Sequence, residues 1–358
     1  MYRLLKRYSN TSLVDIAKDD SFFVIDFNEK QVIQKITKDF VVKWESEEKD
    51  IFSGKIINDR IFYSTLDGRL LSRRLIDLEF ITKIDHLEKH ILFNRVWNNQ
   101  LLCFNSNRHY VLIDLENLRE LKKFQITDKE KFVSLFYQNR FIVKSKREDT
   151  FFPGVLQAYD IDFQLIWQHD FTEDCRFINY SKIDRDENER LPGQIEDIVL
   201  FGEDKLIVSC KYSKVFCIEI LTGKILWENT FTGNREYIIV GDIGYAYSNG
   251  GGIHKIDLKT GASLHEDKRF HRLPEMPYYN NLHISTATDT IIYHDGLLWG
   301  LIYSNGYSFV VAIHPDTYQY EWIHRVETTE KVMSIQFYND RMYLNTSGSD
   351  WFIYEKNK

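Results

Sequence analysis

Asp184, Asp186 and Asn188 stand at alternate positions in the run Asp184-Arg185-Asp186-Glu187-Asn188-Glu189-Arg190, the spacing with which a calcium loop opens. Such a loop needs glycine at its sixth position and a two-oxygen carboxylate at its twelfth. Here those positions are Glu189 and Ile195, so a solvated charged loop is expected. His265, His271 and His283 could ligate zinc, but their spacing lacks the compact pair that zinc sites use. Gly250-Gly251-Gly252 has no following Lys-Ser/Thr and suits a hairpin turn better than a phosphate cradle. Neither Gly-x-Ser-x-Gly nor His-Glu-x-x-His occurs, and scattered Ser, His and Asp define no triad. The 4 cysteines, Cys103, Cys175, Cys210 and Cys217, form no CxxC motif and are expected as unpaired thiols in a reducing cytoplasm. No catalytic residue, cofactor or metal ligand is assigned.

The elements that carry these residues follow from composition and period. The 358 residues are 43% hydrophobic and 28% charged, which permits a large core and argues against disorder. With 21 Tyr and 25 Phe the chain suits pleated surfaces. No secretory signal and no uncharged apolar run of membrane-spanning length is readable, so no membrane partner is expected. A net charge of −7 disfavours a nucleic-acid partner and favours a basic one.

A polar turn followed by an apolar strand recurs: Asp20-Ser21-Phe22-Phe23-Val24, Asp59-Arg60-Ile61-Phe62-Tyr63, Asn99-Gln100-Leu101-Leu102-Cys103 and Asn139-Arg140-Phe141-Ile142-Val143, at intervals of 39, 40 and 40. The device returns at Asp204, Asp242, Asp295 and Asp340, after intervals of 65, 38, 53 and 45. A unit near 40 residues holds four short strands, one propeller blade. The expected fold is therefore an all-β β-propeller of about eight four-stranded blades, seven being the alternative, in a single domain.

Within several units a strand ends in an acidic residue, turns through Thr-Gly and leads to a Trp. Cys217-Ile218-Glu219-Ile220-Leu221-Thr222-Gly223-Lys224-Ile225-Leu226-Trp227 is the fullest copy. Asp257 to Leu264 keeps Thr-Gly without the Trp, and Ala312 to Trp322 keeps the Trp without the Gly; Asp160 with Trp167, and Trp44, mark shorter copies. Glycine permits the positive φ of a tight reversal, and Trp supplies a flat packing surface with an N–H to place. The pattern resembles the Ala-x-Asp-x-x-Thr-Gly-x-x-x-Trp repeat of quinoprotein-like β-propellers, a group holding quinone-dependent alcohol dehydrogenases and outer-membrane assembly scaffolds. Those dehydrogenases have a vicinal cysteine pair and a carboxylate-bound calcium that holds the quinone. This chain lacks adjacent cysteines, so the resemblance implies the scaffold and not the cofactor.

The last unit is one strand short at Trp351-Phe352-Ile353-Tyr354, while Tyr2 to Tyr8 precede the first unit as a spare strand. Pairing the two would close the fold without an exposed edge. The long intervals locate insertions at about 171–198 and 265–290. Loops on rigid scaffolds carry recognition, and Tyr, Met and Arg favour interface cores. Asp184, Arg185, Asp186, Glu187 and Arg190 in the first insertion, and Arg272, Met276, Tyr278 and Tyr279 in the second, are therefore the candidate partner-binding residues. The expected function is a non-enzymatic, cytoplasmic, protein-binding scaffold, in its specific form a bacterial immunity protein gripping a basic toxin. The alternative is a propeller enzyme acting on a glycan or small molecule in the central channel.

Overall fold

Phe22, Phe23, Val24 and Ile25 are consecutive and all buried, as are Leu101, Leu102 and Cys103, and Leu206, Ile207 and Val208. Successive side chains of a strand point to opposite faces, so these strands are covered on both sides. In the computed structural model, which describes residues 2–28, 31–85, 87, 89–105, 107–126, 131–148, 150, 152–178, 190–230, 237–248, 252–265, 271–272 and 288–357, each is a central strand of a four-stranded antiparallel sheet. There are eight such sheets among the described residues, and the fold is the all-β propeller type expected, with eight blades.

The chain divides into two compact units, residues 1–129, 135–138 and 333–358, and residues 130–134 and 139–332. To the first belong blade 1 (Thr11–Ile16, Phe22–Asp26, Val32–Ile36, Val42–Glu45), blade 2 (Ile51–Ile57, Arg60–Thr65, Leu70–Arg74, Phe80–Ile84) and blade 3 (Leu92–Trp97, Gln100–Phe104, His109–Asp114, Arg119–Gln125). With them goes blade 8, in which Arg341–Thr346 and Trp351–Lys356 follow Val332–Tyr338. To the second belong blade 4 (Lys131–Tyr137, Arg140–Ser145, Val155–Tyr159, Leu165–Asp170), apart from residues 135–137 of its first strand, and blade 5 (Ile195–Phe201, Lys205–Cys210, Lys214–Glu219, Ile225–Thr230). Blade 6 (Tyr237–Val240, Ile243–Ser248, Gly252–Asp257, His271–Arg272) and blade 7 (Thr288–His294, Leu297–Ser304, Tyr307–Ile313, Tyr320–Val326) complete it.

All eight turn positions that mark the repeat in the sequence fall between the first and second strands of a blade. The fourth place in blade 8 is filled by Tyr2–Tyr8, antiparallel to Trp351–Lys356 with Tyr2 opposite Lys356 and Tyr8 opposite Trp351. Arg3 pairs with Glu355 at 3.2 Å, and Tyr8 stacks on Trp351 at 4.6 Å between ring centres. The spare strand therefore closes the last blade as the sequence implied.

Within each unit, neighbouring sheets bury facing sides against one another. In the first unit Phe23 and Ile33 of blade 1 pack with Ile61, Tyr63 and Leu71 of blade 2. In the second unit Ile207 and Cys217 of blade 5 pack with Ala246 and Ile256 of blade 6. In four blades the residue just after the third strand joins these layers through both its backbone groups. The N–H groups of Leu75, Leu115, Ile220 and Leu258 donate to the carbonyls of Asp59, Asn99, Asp204 and Asp242, at 2.9, 2.8, 2.8 and 2.8 Å, in the first turn of the same blade. The carbonyls of those four residues accept from the preceding blade: from Lys35 Nζ at 3.2 Å, Arg60 Nη1 at 3.2 Å, Trp167 Nε1 at 2.8 Å and Trp227 Nε1 at 2.9 Å. Arg341 of blade 8 makes the corresponding bond to Lys38 O of blade 1 at 3.0 Å.

The Thr-Gly turns lie between third and fourth strands and receive these indoles. Gly223 and Gly261 adopt φ of 75° and 76°. A Cβ on Gly223 would stand 2.5 Å from Trp167 Cγ, and one on Gly261 would stand 2.6 Å from Trp227 Cδ2. A second side chain, two residues after each Trp, clamps the same glycine: His169 Nε2 lies 2.6 Å from Gly223 O, and Asn229 Nδ2 donates to Gly261 O at 2.5 Å. Replacing Gly223 with Ala thus adds a clash to an unfavourable φ. Gly296, at φ 78° with nothing near its missing Cβ, meets the φ cost alone. Gly296→Ala is expected to cost about 1–2 kcal/mol and Gly223→Ala about 2–5 kcal/mol, a difference that urea unfolding of the two variants measures directly.

Candidate functional site

In blades 1, 4 and 5 the strand that follows the third-to-fourth turn carries a Trp at the junction with the next blade and exposed apolar side chains just before it. In blade 1 Trp44, half-buried, packs with Leu75 and Leu78 of blade 2 against the core the two blades share, with the Arg73 guanidinium 5.4 Å from its ring centre. Val41 and Val42, just before it, are exposed. In the adjoining turn of blade 2 Ile76 is 85% exposed, and Phe80 opens the fourth strand, also exposed. Between these turns lies an open cleft of about 400 Å³, with Ile76 and Leu78 on one side and Thr37, Lys38 and Lys43 on the other. Its floor is polar: Lys35 Nζ lies 3.3 Å from Asp19 Oδ2 while also donating to Leu75 O. Burial raises the Asp19 carboxyl, but hydrogen bonds from Ser21 and the Lys35 charge outweigh it and hold the group below its ordinary value.

The same arrangement recurs in the second unit. Leu165 and Ile166 precede Trp167, Ile225 and Leu226 precede Trp227, and these apolar pairs are exposed while the Trp between blades is covered. Leu221 extends the blade 5 surface. Clustered exposed apolar side chains rimmed by charge are the surface type that partners cover.

One Ser–His arrangement is also brought together, and it is tuned away from nucleophile activation. His254, fully buried in the third strand of blade 6, has Nδ1 2.9 Å from Tyr237 Oη and Nε2 3.1 Å from Ser263 Oγ. Asn229 Nδ2 donates to the same Ser263 oxygen at 3.2 Å. Burial, reinforced by nearby His265, pulls the His254 pKa from 6.5 to about 3. A base that weak takes little of a serine proton at neutral pH. The network instead satisfies buried polar groups and ties blade 5 to blade 6 through Asn229.

Of the residues expected to bind a partner, Asp184, Arg185, Asp186, Glu187, Met276, Tyr278 and Tyr279 lie outside the described residues. Arg190 is described: it pairs with Ile178 in a two-stranded hairpin before blade 5, is exposed, and its carbonyl accepts from Arg176 Nη2 at 3.3 Å. Arg272 pairs with Gly252 as part of the fourth strand of blade 6. The two arginines stand on different elements. Residues 195–198 belong to the first strand of blade 5 and 288–290 to that of blade 7, so the blades reach into both expected insertions. The exposed residues Val41, Val42, Ile76 and Phe80 were not singled out in the sequence; their signal is an apolar pair ahead of a Trp and an isoleucine in an otherwise polar turn.

A family model described as outer membrane protein assembly factor BamB matches residues 153–351. None of the curated proteins compared with the chain matches it. Among solved structures, the computationally designed Ika8 protein superposes with a TM-score of 0.64 at 11% identity, covering 98% of each chain. BamB from Moraxella catarrhalis gives 0.59 at 10% identity, covering 99% of this chain and 100% of that one. The dihydro-heme d1 dehydrogenase NirN gives 0.56 at 13% identity, over 94% of this chain and 68% of that one. At these identities the likeness is one of fold.

Because the folded pKa of His254 is depressed, its contribution is present above the unfolded pKa of 6.5 and is lost as pH falls toward about 3. Stability is expected to fall by up to about 5 kcal/mol across that window from this group. Urea unfolding at a series of pH values checks it: His254→Gln should show a shallower loss than the unmodified chain, by about one proton's worth of slope.

Proposed function

The chain belongs to the PQQ-repeat family described as outer membrane protein assembly factor BamB, and from that premise we propose that it works as a non-enzymatic scaffold that binds another protein. The carrying observation is the recurring exposed apolar surface at the third-to-fourth turns: Val41, Val42, Ile76 and Phe80 in the first unit, and Leu165, Ile166, Leu221, Ile225 and Leu226 in the second. Water contact on these side chains is relieved when a partner covers them, at about 1.5–3 kcal/mol for each large residue fully buried. The family description, which names protein assembly, agrees with a role exercised through protein contacts.

The finer proposal is a cytoplasmic bacterial immunity protein that neutralises a basic toxin. Its support is the net charge of −7, which favours encounter with a cationic partner. The two insertions, with Arg190 and Arg272 at their described margins, would add specificity to the apolar contacts.

The purified chain, immobilised and exposed to lysate of its source cells, should retain a protein whose affinity can then be measured with both components pure. Ile76→Asp is expected to weaken that complex tenfold or more while leaving the melting temperature unchanged, because Ile76 is almost fully exposed in the free chain. Retention of small molecules alone, or equal binding by Ile76→Asp, Val42→Asp and Leu226→Asp variants, would overturn the proposal.

A further inference from the structure

The outer ladder of blade 6 includes a bond made by a side chain. Beyond the Gly261 turn the chain runs back antiparallel to the third strand, with Ile256 opposite Ser263. Asp257 N–H donates to Ala262 O at 2.9 Å, and Leu264 N–H donates to Lys255 O at 2.8 Å. Partners placed in this way exchange both groups in a regular ladder, so Lys255 N–H would return its bond to the carbonyl of Leu264. It donates instead to His265 Nε2 at 2.6 Å. The ring is half-buried, and its Nδ1 lies 3.4 Å from Tyr318 Oη at the third-to-fourth turn of blade 7. Accepting at Nε2 selects the neutral tautomer with its hydrogen on Nδ1, which can then donate to Tyr318.

We propose that His265 is a pH-sensitive fastener of blade 6, holding the outer segment to Lys255 as a neutral ring and releasing it when protonated. An imidazolium carries N–H at both nitrogens, so Nε2–H would face Lys255 N–H, donor against donor, while Nδ1–H could keep its place at Tyr318. A ladder carbonyl has no such response, because it does not titrate; an ordinary histidine does so near about pH 6.5. The bond is therefore present at higher pH and lost on acidification. The surroundings of the ring come from two blades. From blade 6, the ring centre of His254 lies 6.0 Å away, and burial keeps that histidine neutral. Lys255 Nζ is engaged with Asp316 Oδ1 of blade 7 at 2.7 Å and lies 5.5 Å from the Tyr245 ring centre. From blade 7 come Tyr318, whose hydroxyl is held protonated by burial, and Asp316 itself. His314 Nδ1 accepts from the N–H groups of Asp316 and Thr317 at 3.2 and 3.3 Å. Because His265 is only half-buried, solvent protons reach the ring without the blade unfolding, in contrast to fully buried His254.

This inference concerns the edge of blade 6 and stands independently of the proposed partner. Hydrogen exchange of the purified chain, read at single amides and corrected for the intrinsic rate, is followed from about pH 8 to about pH 5. Protection of the Lys255 amide is expected to fall by about tenfold more in the unmodified chain than in His265→Gln, whose side-chain oxygen can accept the same bond without titrating. The response of His254 is common to both chains and drops out of the comparison. Imidazole nitrogen spectra of the unmodified chain give a second reading: at high pH His265 should show the neutral form with hydrogen on Nδ1. Lys255 protection that stays constant with pH, an equal fall in both chains, or a His265 hydrogen on Nε2 at high pH would overturn the proposal. The first and third of these outcomes need no variant, so they decide the matter even if His265→Gln does not fold.

Discussion

A carbonyl just past the end of a strand is a small group on which to hang an assembly of sheets, and at Leu115, Ile220 and Leu258 it belongs to a buried residue and has to be paired. Leaving such an acceptor empty costs about 1–3 kcal/mol. In the first unit the donors come from Arg341, Lys35 and Arg60, and in the second from Trp167 and Trp227. Ammonium, guanidinium and indole share little chemistry beyond a polar N–H on a long side chain. The geometry asks for a donor at one place and leaves its identity open, which allows one blade plan to persist through very different repeat sequences.

That freedom also explains what the sequence made legible. The first turn of every blade was visible because it must reverse tightly, and Asp, Asn and Gly tolerate the left-handed backbone found at Asp20, Asn58, Asn99, Asn139, Gly202, Gly241, Asp295 and Asn339. The later turn carried its glycine signature only at Gly223 and Gly261. At Phe40, Leu78, Phe163 and Tyr318 the same kind of turn places a bulky residue at positive φ, with values of 66°, 60°, 59° and 58°, so the glycine half of the signature was missing and Trp44, Trp167 and Trp322 alone marked three of the four. Lys35 and Arg60 were equally hidden, since a basic residue on a strand normally signals a solvated face.

Polar groups in the described blades are largely spent on construction. His254 links Tyr237 to Ser263, and Asn229 carries the chain of bonds onto Gly261 O in the next sheet. In the first unit Glu48, Tyr63 and Arg73 form a partly buried triangle, with Arg73 donating to Tyr63 Oη at 2.8 Å and to Leu78 O at 3.1 Å. Arg73 lies between Trp44 and Phe80, so its charge, its donors and its flat face are all engaged. Beside exposed charged side chains, the turns also present apolar ones to solvent, Ile76 and Leu221 among them.

The strand Tyr2–Tyr8 has its place beside Trp351–Lys356, a strand that follows it in the sequence by about 340 residues. During synthesis it leaves the ribosome roughly 340 residues before its pairing edge exists, a delay of about 20–70 s at ordinary elongation rates. Throughout that time the segment has no sheet to join, and Tyr8 has no indole to lie against. Blade 8 is consequently the last to be completed however early the others form, and the nascent chain carries an unsatisfied β-segment that chaperones, or a neighbouring nascent chain, can reach before translation delivers its own partner.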